Sequence, residues 1–203
     1  MTSAPPLSFL ALGDSNTIGE CVSPAESWPV QLAVALRSSG MNMGEPRIVA
    51  KTGWTTDELA AAIAAEQIFG AFDLVSLLIG ANNQYRGRSS TEYREQLCGL
   101  LAQAISFADG RAARVIMLST PDWGVMPFAE GRDRAKIAAE IDEFNSVAQL
   151  EAVRLGVNWV DVTSASRDMQ PGWVAGDGLH PSGAQYAAWA ALALPVAQTA
   201  LSL

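Results

Sequence analysis

Hydrophobic positions along the chain fall into short, nearly continuous runs separated by longer stretches with helical spacing. The runs are "LSFLAL" at 7–12, "RIVA" at 47–50, "DLVSLLIG" at 73–80, "ARVIMLST" at 113–120 and "VNWVDV" at 157–162. Each is bounded by glycine, proline or polar turn formers, the mark of a strand. Because they are nearly continuous apolar runs, they predict strands covered on both faces, as in a parallel sheet. Helical patterns lie between them at about 28–39, 55–67, 91–108, 132–155 and 182–201. This alternation predicts an α/β fold, a three-layer α/β/α sandwich around a central parallel sheet of about five strands. No repeat, low-complexity tract or linker interrupts it, and 203 residues fit a single domain spanning 1–203 with a sizeable core. Trp28, Trp159 and Trp189 sit inside predicted elements and are expected in that core.

Composition narrows the partners. A net charge of −8 argues against nucleic acid and anionic membrane surfaces. No stretch approaches the roughly 20 consecutive apolar residues that a membrane span needs. The start, "MTSAPPLSFLALGDS", has no basic segment before its apolar run, which reads as a first strand and not as an export signal, so a cytoplasmic location is expected. Cys21 and Cys98 have no metal-ligand spacing and are expected reduced. With a single histidine and two distant cysteines, neither a metal site nor any other cofactor is expected. The sequence leaves the oligomeric state open.

In open parallel sheets ligands bind beyond the carboxyl ends of the strands. The segments there are "GDSNTIGE", "KTGWTTDE", "GANNQYRG", "TPDWGVMPF" and the loop "WVAGDGLHPSG". In the first, Ser15 follows a strand and is flanked by Gly13 and Gly19. Two readings fit: a hydroxyl exposed on a tight strand-to-helix turn, or a helix cap. The spacing is neither the G-x-S-x-G elbow nor a phosphate-binding glycine loop. In the last, His180 is the only histidine in the chain. It lies on a loop three residues after Asp177, and Pro181 is expected to open the final helix. Asn82 and Asn83 follow the third strand on backbone expected to be extended, so that one of the two faces the site.

Taken together, these blocks resemble the SGNH, or GDSL-type, hydrolase family. Gly13, Asp14, Ser15 and Asn16 match its first block, Gly53 its second, Gly80 and Asn82 its third, and Asp177 and His180 with Pro181 its last. Asn83 departs from the pattern by standing where an aspartate is common, which leaves open what supports that loop. The resemblance implies a flavodoxin-like SGNH hydrolase fold and a Ser15–His180–Asp177 triad. It also implies an oxyanion hole from the N–H groups of Ser15 and Gly53 and the amide of Asn82.

The physical reading agrees. A serine needs a base to become nucleophilic, and His180 is the one imidazole available. Asp177 would orient it, and fixed donors would meet the charge that develops on the carbonyl oxygen. The expected reaction is hydrolysis of small-molecule carboxylic esters with short acyl groups through an acyl-enzyme. Carbohydrate O-deacetylase, thioesterase and lysophospholipase activities use the same machinery, and a non-catalytic α/β binding protein is the reading from another class. Trp54, Asn83, Tyr85, Trp123 and Trp173 are candidates for substrate contact, with Phe128 in the same loops. Arg86 and Arg88 read as an anion-binding pair or as solvated loop charges.

Overall fold

The computed structural model describes residues 5–202. Five strands form one sheet: β1 (Phe9–Gly13), β2 (Arg47–Ala50), β3 (Leu74–Leu78), β4 (Val115–Leu118) and β5 (Asn158–Val160). Every neighbouring pair is parallel, in the order β2-β1-β3-β4-β5. The predicted runs thus all become strands: the run at 47–50 keeps its bounds, the first shifts to 9–13, and the other three are shortened.

Among the described residues eight α-helices join or follow them: α1 (Ser15–Ile18), α2 (Trp28–Ser38), α3 (Thr56–Glu66), α4 (Ala81–Tyr85), α5 (Ser90–Phe107), α6 (Arg134–Leu155), α7 (Thr163–Arg167) and α8 (Gly183–Ser202). Alternate residues of each strand face opposite sides of the sheet. Leu10, Leu12, Val75, Leu77, Val115 and Met117 therefore pack with Leu59 of α3, Leu97 and Leu101 of α5, and Phe144 and Ala148 of α6. On the other face Phe9, Ala11, Leu74, Leu78, Ile116 and Leu118 pack with Trp28, Leu32 and Leu36 of α2 and Tyr186 and Trp189 of α8. That is the three-layer sandwich the pattern predicts. Trp28 and Trp189 are fully buried, as expected, while Trp159 is only partly so.

The expectation for the start of the last helix needs correction. Pro181 is buried in an antiparallel bridge with Val174, and α8 begins at Gly183. Ser182 takes the capping place, its hydroxyl accepting from the Gln185 N–H at 3.4 Å. Being pinned to Val174, Pro181 braces the loop that carries His180 instead of opening the helix.

The sheet register builds the site. Gly13 is level with Ala50 of β2 and with Leu78 of β3, so three strands end side by side. The chain runs outward from β1 to β2, then crosses back to β3 on the other side of β1. The crevice where the order reverses therefore lies between the ends of β1 and β3.

Truncating the fully buried Leu77 to alanine should cost about 2–5 kcal/mol of stability. By contrast, Val34→Ala on α2, at a residue 48% exposed, should stay within about 0.5 kcal/mol. Urea midpoints of the two variants test this division.

Candidate active site

Asp14 leaves β1 in extended conformation (φ −124°, ψ −151°) and caps α1 by accepting from the Asn16 N–H at 2.9 Å. Its side chain is fully buried. A carboxylate without water must be satisfied by donors. Asn16 gives Oδ1 a second bond through its amide at 3.2 Å, and the Asn82 amide donates to Oδ2 at 3.2 Å. These bonds do not fully offset the lost hydration, and burial pushes the Asp14 carboxyl up to about 6. Ser15, next in the chain, opens α1 and is itself buried.

From β2 the chain turns through Gly53, at φ +86°, where a side chain would be strained. The Gly53 carbonyl accepts from Arg86 at 2.5 Å. Among the described residues the N–H groups of Ser15 and Gly53 take no hydrogen-bond partner. From β3 the chain passes through Gly80, at φ +140°, where a Cβ would fall 2.9 Å from Thr120 Oγ1 and 3.1 Å from the Tyr93 ring. The two asparagines then stand on α4, not on extended backbone as expected. On a helix successive side chains diverge by about 100°, so each takes its own partner. Asn82 donates to the Trp54 carbonyl at 3.0 Å as well as to Asp14. Asn83 is fully buried, accepting from the Thr56 N–H at 3.1 Å and donating to its hydroxyl at 2.7 Å. An amide supplies the donor and the acceptor that this pairing needs, which answers what supports the loop.

His180 comes from the loop before α8. Its Nδ1 lies 2.5 Å from Asp177 Oδ2, while the N–H groups of Leu179 and His180 both donate to Oδ1 at 3.0 Å. Burial raises the Asp177 carboxyl, but the imidazole and the two backbone donors outweigh it and hold the group well below the usual carboxylate range. The loop closes on itself, with the Ala175 N–H donating to the His180 carbonyl at 2.8 Å and Ser182 to Trp173 at 2.8 Å. Asp177 is thereby a fixed partner for Nδ1, which sets the proton there and leaves Nε2 as an acceptor.

Ser15, Asn16, Asn82 and His180 meet in one pocket of about 200 Å³. The rest of its lining is mostly apolar, with Tyr85, Trp123, Met126 and Phe128 forming a wall. Tyr85 and Trp123 pack edge to face with centroids 5.3 Å apart. The Trp123 indole donates to Gln84 at 2.7 Å, and Gln84 donates in turn to Glu140 at 2.7 Å, which anchors the wall to α6. The Arg132 guanidinium lies 4.8 to 5.4 Å from the centroids of the Tyr85, Trp123 and Phe128 rings.

Of the residues proposed for substrate contact, Tyr85 and Trp123 line this pocket, whereas Trp54, Asn83 and Trp173 do not. Trp54 packs against the core and serves the site through its carbonyl. Trp173 is half-buried and accepts from Ser182, bracing the histidine loop. Arg86 and Arg88 bond to the start of α3, through Glu58 and Asp57, and so hold loops together. Asn16 was noted only as part of a family block and not as a lining residue, and Pro121, Met126, Leu179 and Ala81 also line the pocket without having been proposed. These last four stand beside or near residues that were singled out, but nothing in their own type marked them.

Residues 11–188 match the GDSL-like lipase/acylhydrolase family. The chain belongs to that family. Its fold is shared with solved members and relatives of low sequence identity. The lipase/acylhydrolase from Enterococcus faecalis is 23% identical, with a TM-score of 0.73 over 93% of this chain and 94% of that one. A variant of Axe2, an acetyl xylan esterase from Geobacillus stearothermophilus, is 22% identical, with a TM-score of 0.72 over 95% and 96%. AlinE4, an SGNH-hydrolase family esterase, is 22% identical, with a TM-score of 0.68 over 97% of both chains. No curated protein matches the chain. Among the described residues no helix of this hydrolase-family member is long and apolar enough to cross a membrane.

The buried carboxylate makes a testable cost. Asp14 titrates near 3.8 when unfolded and near 6 when folded, so the native state binds the extra proton between those values. Stability therefore falls as pH rises through that window, by about 3 kcal/mol, and stays lower above it. Asp14→Asn should raise the melting temperature at pH 8 by several degrees and change it little at pH 4. Thermal melts at both pH values check this.

Proposed function

We infer that the chain is a serine esterase acting through an acyl-enzyme, with Ser15 as nucleophile, His180 as general base and acid, and Asp177 as its orienting partner. The observation that carries this reading is the 2.5 Å bond between His180 Nδ1 and Asp177 Oδ2 at the rim of a pocket that Ser15 and Asn82 also line. Ser15 Oγ attacks the ester carbonyl as Nε2 takes its proton. Asp177 stabilises the imidazolium directly, and the Asp14 carboxylate adds an attraction to its charge. The anionic oxygen meets the unpartnered N–H groups of Ser15 and Gly53 and the Asn82 amide, which shares a hydrogen now held by Asp14. Collapse expels the alcohol, protonated by His180. Water then repeats the sequence on the acyl-serine and releases the acid.

A pocket of about 200 Å³ with a mostly apolar lining suits a short acyl chain. A carbohydrate O-deacetylase is the second reading. It is favoured by the Tyr85–Trp123–Phe128 wall, whose faces offer a platform for a sugar ring beside the nucleophile. The likeness in fold to an acetyl xylan esterase agrees with it.

An organophosphonate should label Ser15 alone, as read by intact mass and peptide mapping. Ser15→Ala and His180→Ala should each lower turnover of a chromogenic butyrate ester by about 10⁴- to 10⁶-fold, and the double variant should lose little more. Labelling at another serine, or additive losses, would rule out this assignment.

The two asparagines should separate. Asn82→Ala should lower kcat by about 10²- to 10³-fold with little change in melting temperature. Asn83→Ala, which strands the Thr56 groups, should cost about 1–3 kcal/mol of stability and affect kcat less. Steady-state kinetics and thermal melts on both variants decide it.

A further inference from the structure

Cys21 is far from Asp177 and His180 in sequence, but the fold brings the three together. The thiol, the carboxylate and the imidazole each offer one donor atom, and those atoms lie within 4.8 Å of one another. Cys21 is exposed and unoxidised, and it is held in the left-handed backbone region at φ +65°. That conformation costs a non-glycine residue energy, so the fold presents this thiol instead of leaving it to settle freely. Soft sulfur, borderline nitrogen and hard oxygen together make a donor set suited to Zn²⁺, with a fourth position left to water.

We propose that Cys21, Asp177 and His180 form a three-ligand site for a thiophilic divalent cation, Zn²⁺ by its donor set, and that filling it switches off hydrolysis. The inhibitory half of this proposal rests on the roles inferred above for Ser15 and His180. Ligand atoms around a tetrahedral Zn²⁺ stand about 3.5 Å apart, given bonds of about 2.0–2.3 Å. An ion held by Nδ1 and Oδ2 would therefore require that pair, at 2.5 Å, to open by about an ångström, which breaks their mutual bond. The Cys21 thiol loses its proton to solvent as the metal–sulfur bond forms. If the ion takes Nδ1, the imidazole proton moves to Nε2, which can then no longer accept from Ser15. If it takes Nε2, it blocks that atom outright. Either way the base is lost, while Ser15 itself is untouched.

The test uses chelator-treated full-length protein with Zn²⁺ or Cd²⁺ as the only added ion. Calorimetry should show one Zn²⁺ bound per chain, and Cd²⁺ should produce a thiolate-to-metal ultraviolet absorption. Loss of an outer-shell partner alone weakens metal sites about 10- to 100-fold, so Cys21→Ser should raise the half-inhibitory Zn²⁺ concentration at least about tenfold, each protein scaled to its own metal-free rate. The absorption should vanish in Cys21→Ser and persist in Cys98→Ser. Cys21→Gly, which also relieves the left-handed strain, should behave as Cys21→Ser does. Ser15→Ala should bind Zn²⁺ as wild type does, so the binding result stands apart from the esterase reading, which the metal-free assay judges. Absence of binding to wild type, or equal inhibition of wild type and both Cys21 variants, overturns the proposal. Cys21-dependent binding without inhibition overturns the switch.

Discussion

Gly13 is held between Ala50 and Leu78 in a parallel ladder, and the candidate site takes its shape from that alignment. Because β1, β2 and β3 finish level, the turns that follow them emerge at one height. Asp14 and Ser15, Gly53 and Asn82 then need only local geometry to converge. The apolar faces that hold the strands in register lie on both sides of the sheet, so the alignment is set by the whole core. A one-residue slip of β1 would turn Leu10 and Leu12 to the wrong layer and carry Ser15 out of the crevice.

Within that frame the two aspartates do opposite things. Asp177 is half in water and is stabilised by more partners than its burial costs, so it remains a carboxylate under nearly all conditions. Asp14 is wholly enclosed and is not fully repaid by its donors. The cost of its burial is matched by what it orders, since it fixes both the turn that carries Ser15 and the amide plane of Asn82. The first aspartate orients an imidazole; the second orients backbone and amide. Local strain or unfavourable burial at functional positions, offset by the rest of the fold, is a recurring pattern in folded proteins.

The five strands were legible in the sequence because each is a short run rich in apolar residues between turn formers, and the long helices because their periodicity persists over several turns. The short helices α1, α4 and α7 were not legible, since four or five residues carry too little of a 3.6-residue period to register. That gap had a consequence for Asn82 and Asn83, whose side chains were assigned from an extended backbone that is in fact helical. The candidate site blocks came from the family resemblance, and the Asp177–His180 pair it implied is in contact in the structure. What spacing could not reveal were contacts between distant segments: the thiol of Cys21 beside Asp177, Asn83 on Thr56, and Trp54 serving through its carbonyl and not its ring. Each of these depends on where loops from separate strands meet.

Most of the pocket wall comes from one segment, with Tyr85 of α4 completing it. Pro121, Trp123, Met126 and Phe128 all come from the one segment that joins β4 to α6, and Arg132 closes the same stretch over their rings. The reacting groups come from other parts of the chain, at the ends of β1 and β3 and before α8. The segment is tied to the others by the Phe128 N–H, which donates to the Gly178 carbonyl in the histidine loop, and by the Trp123–Gln84 bond, so its pocket-facing side chains can vary more freely than its length. Under the proposed function, this separation makes the segment's side chains a determinant of substrate fit and leaves reactivity to the other loops. It also makes this segment the natural place for directed evolution to begin.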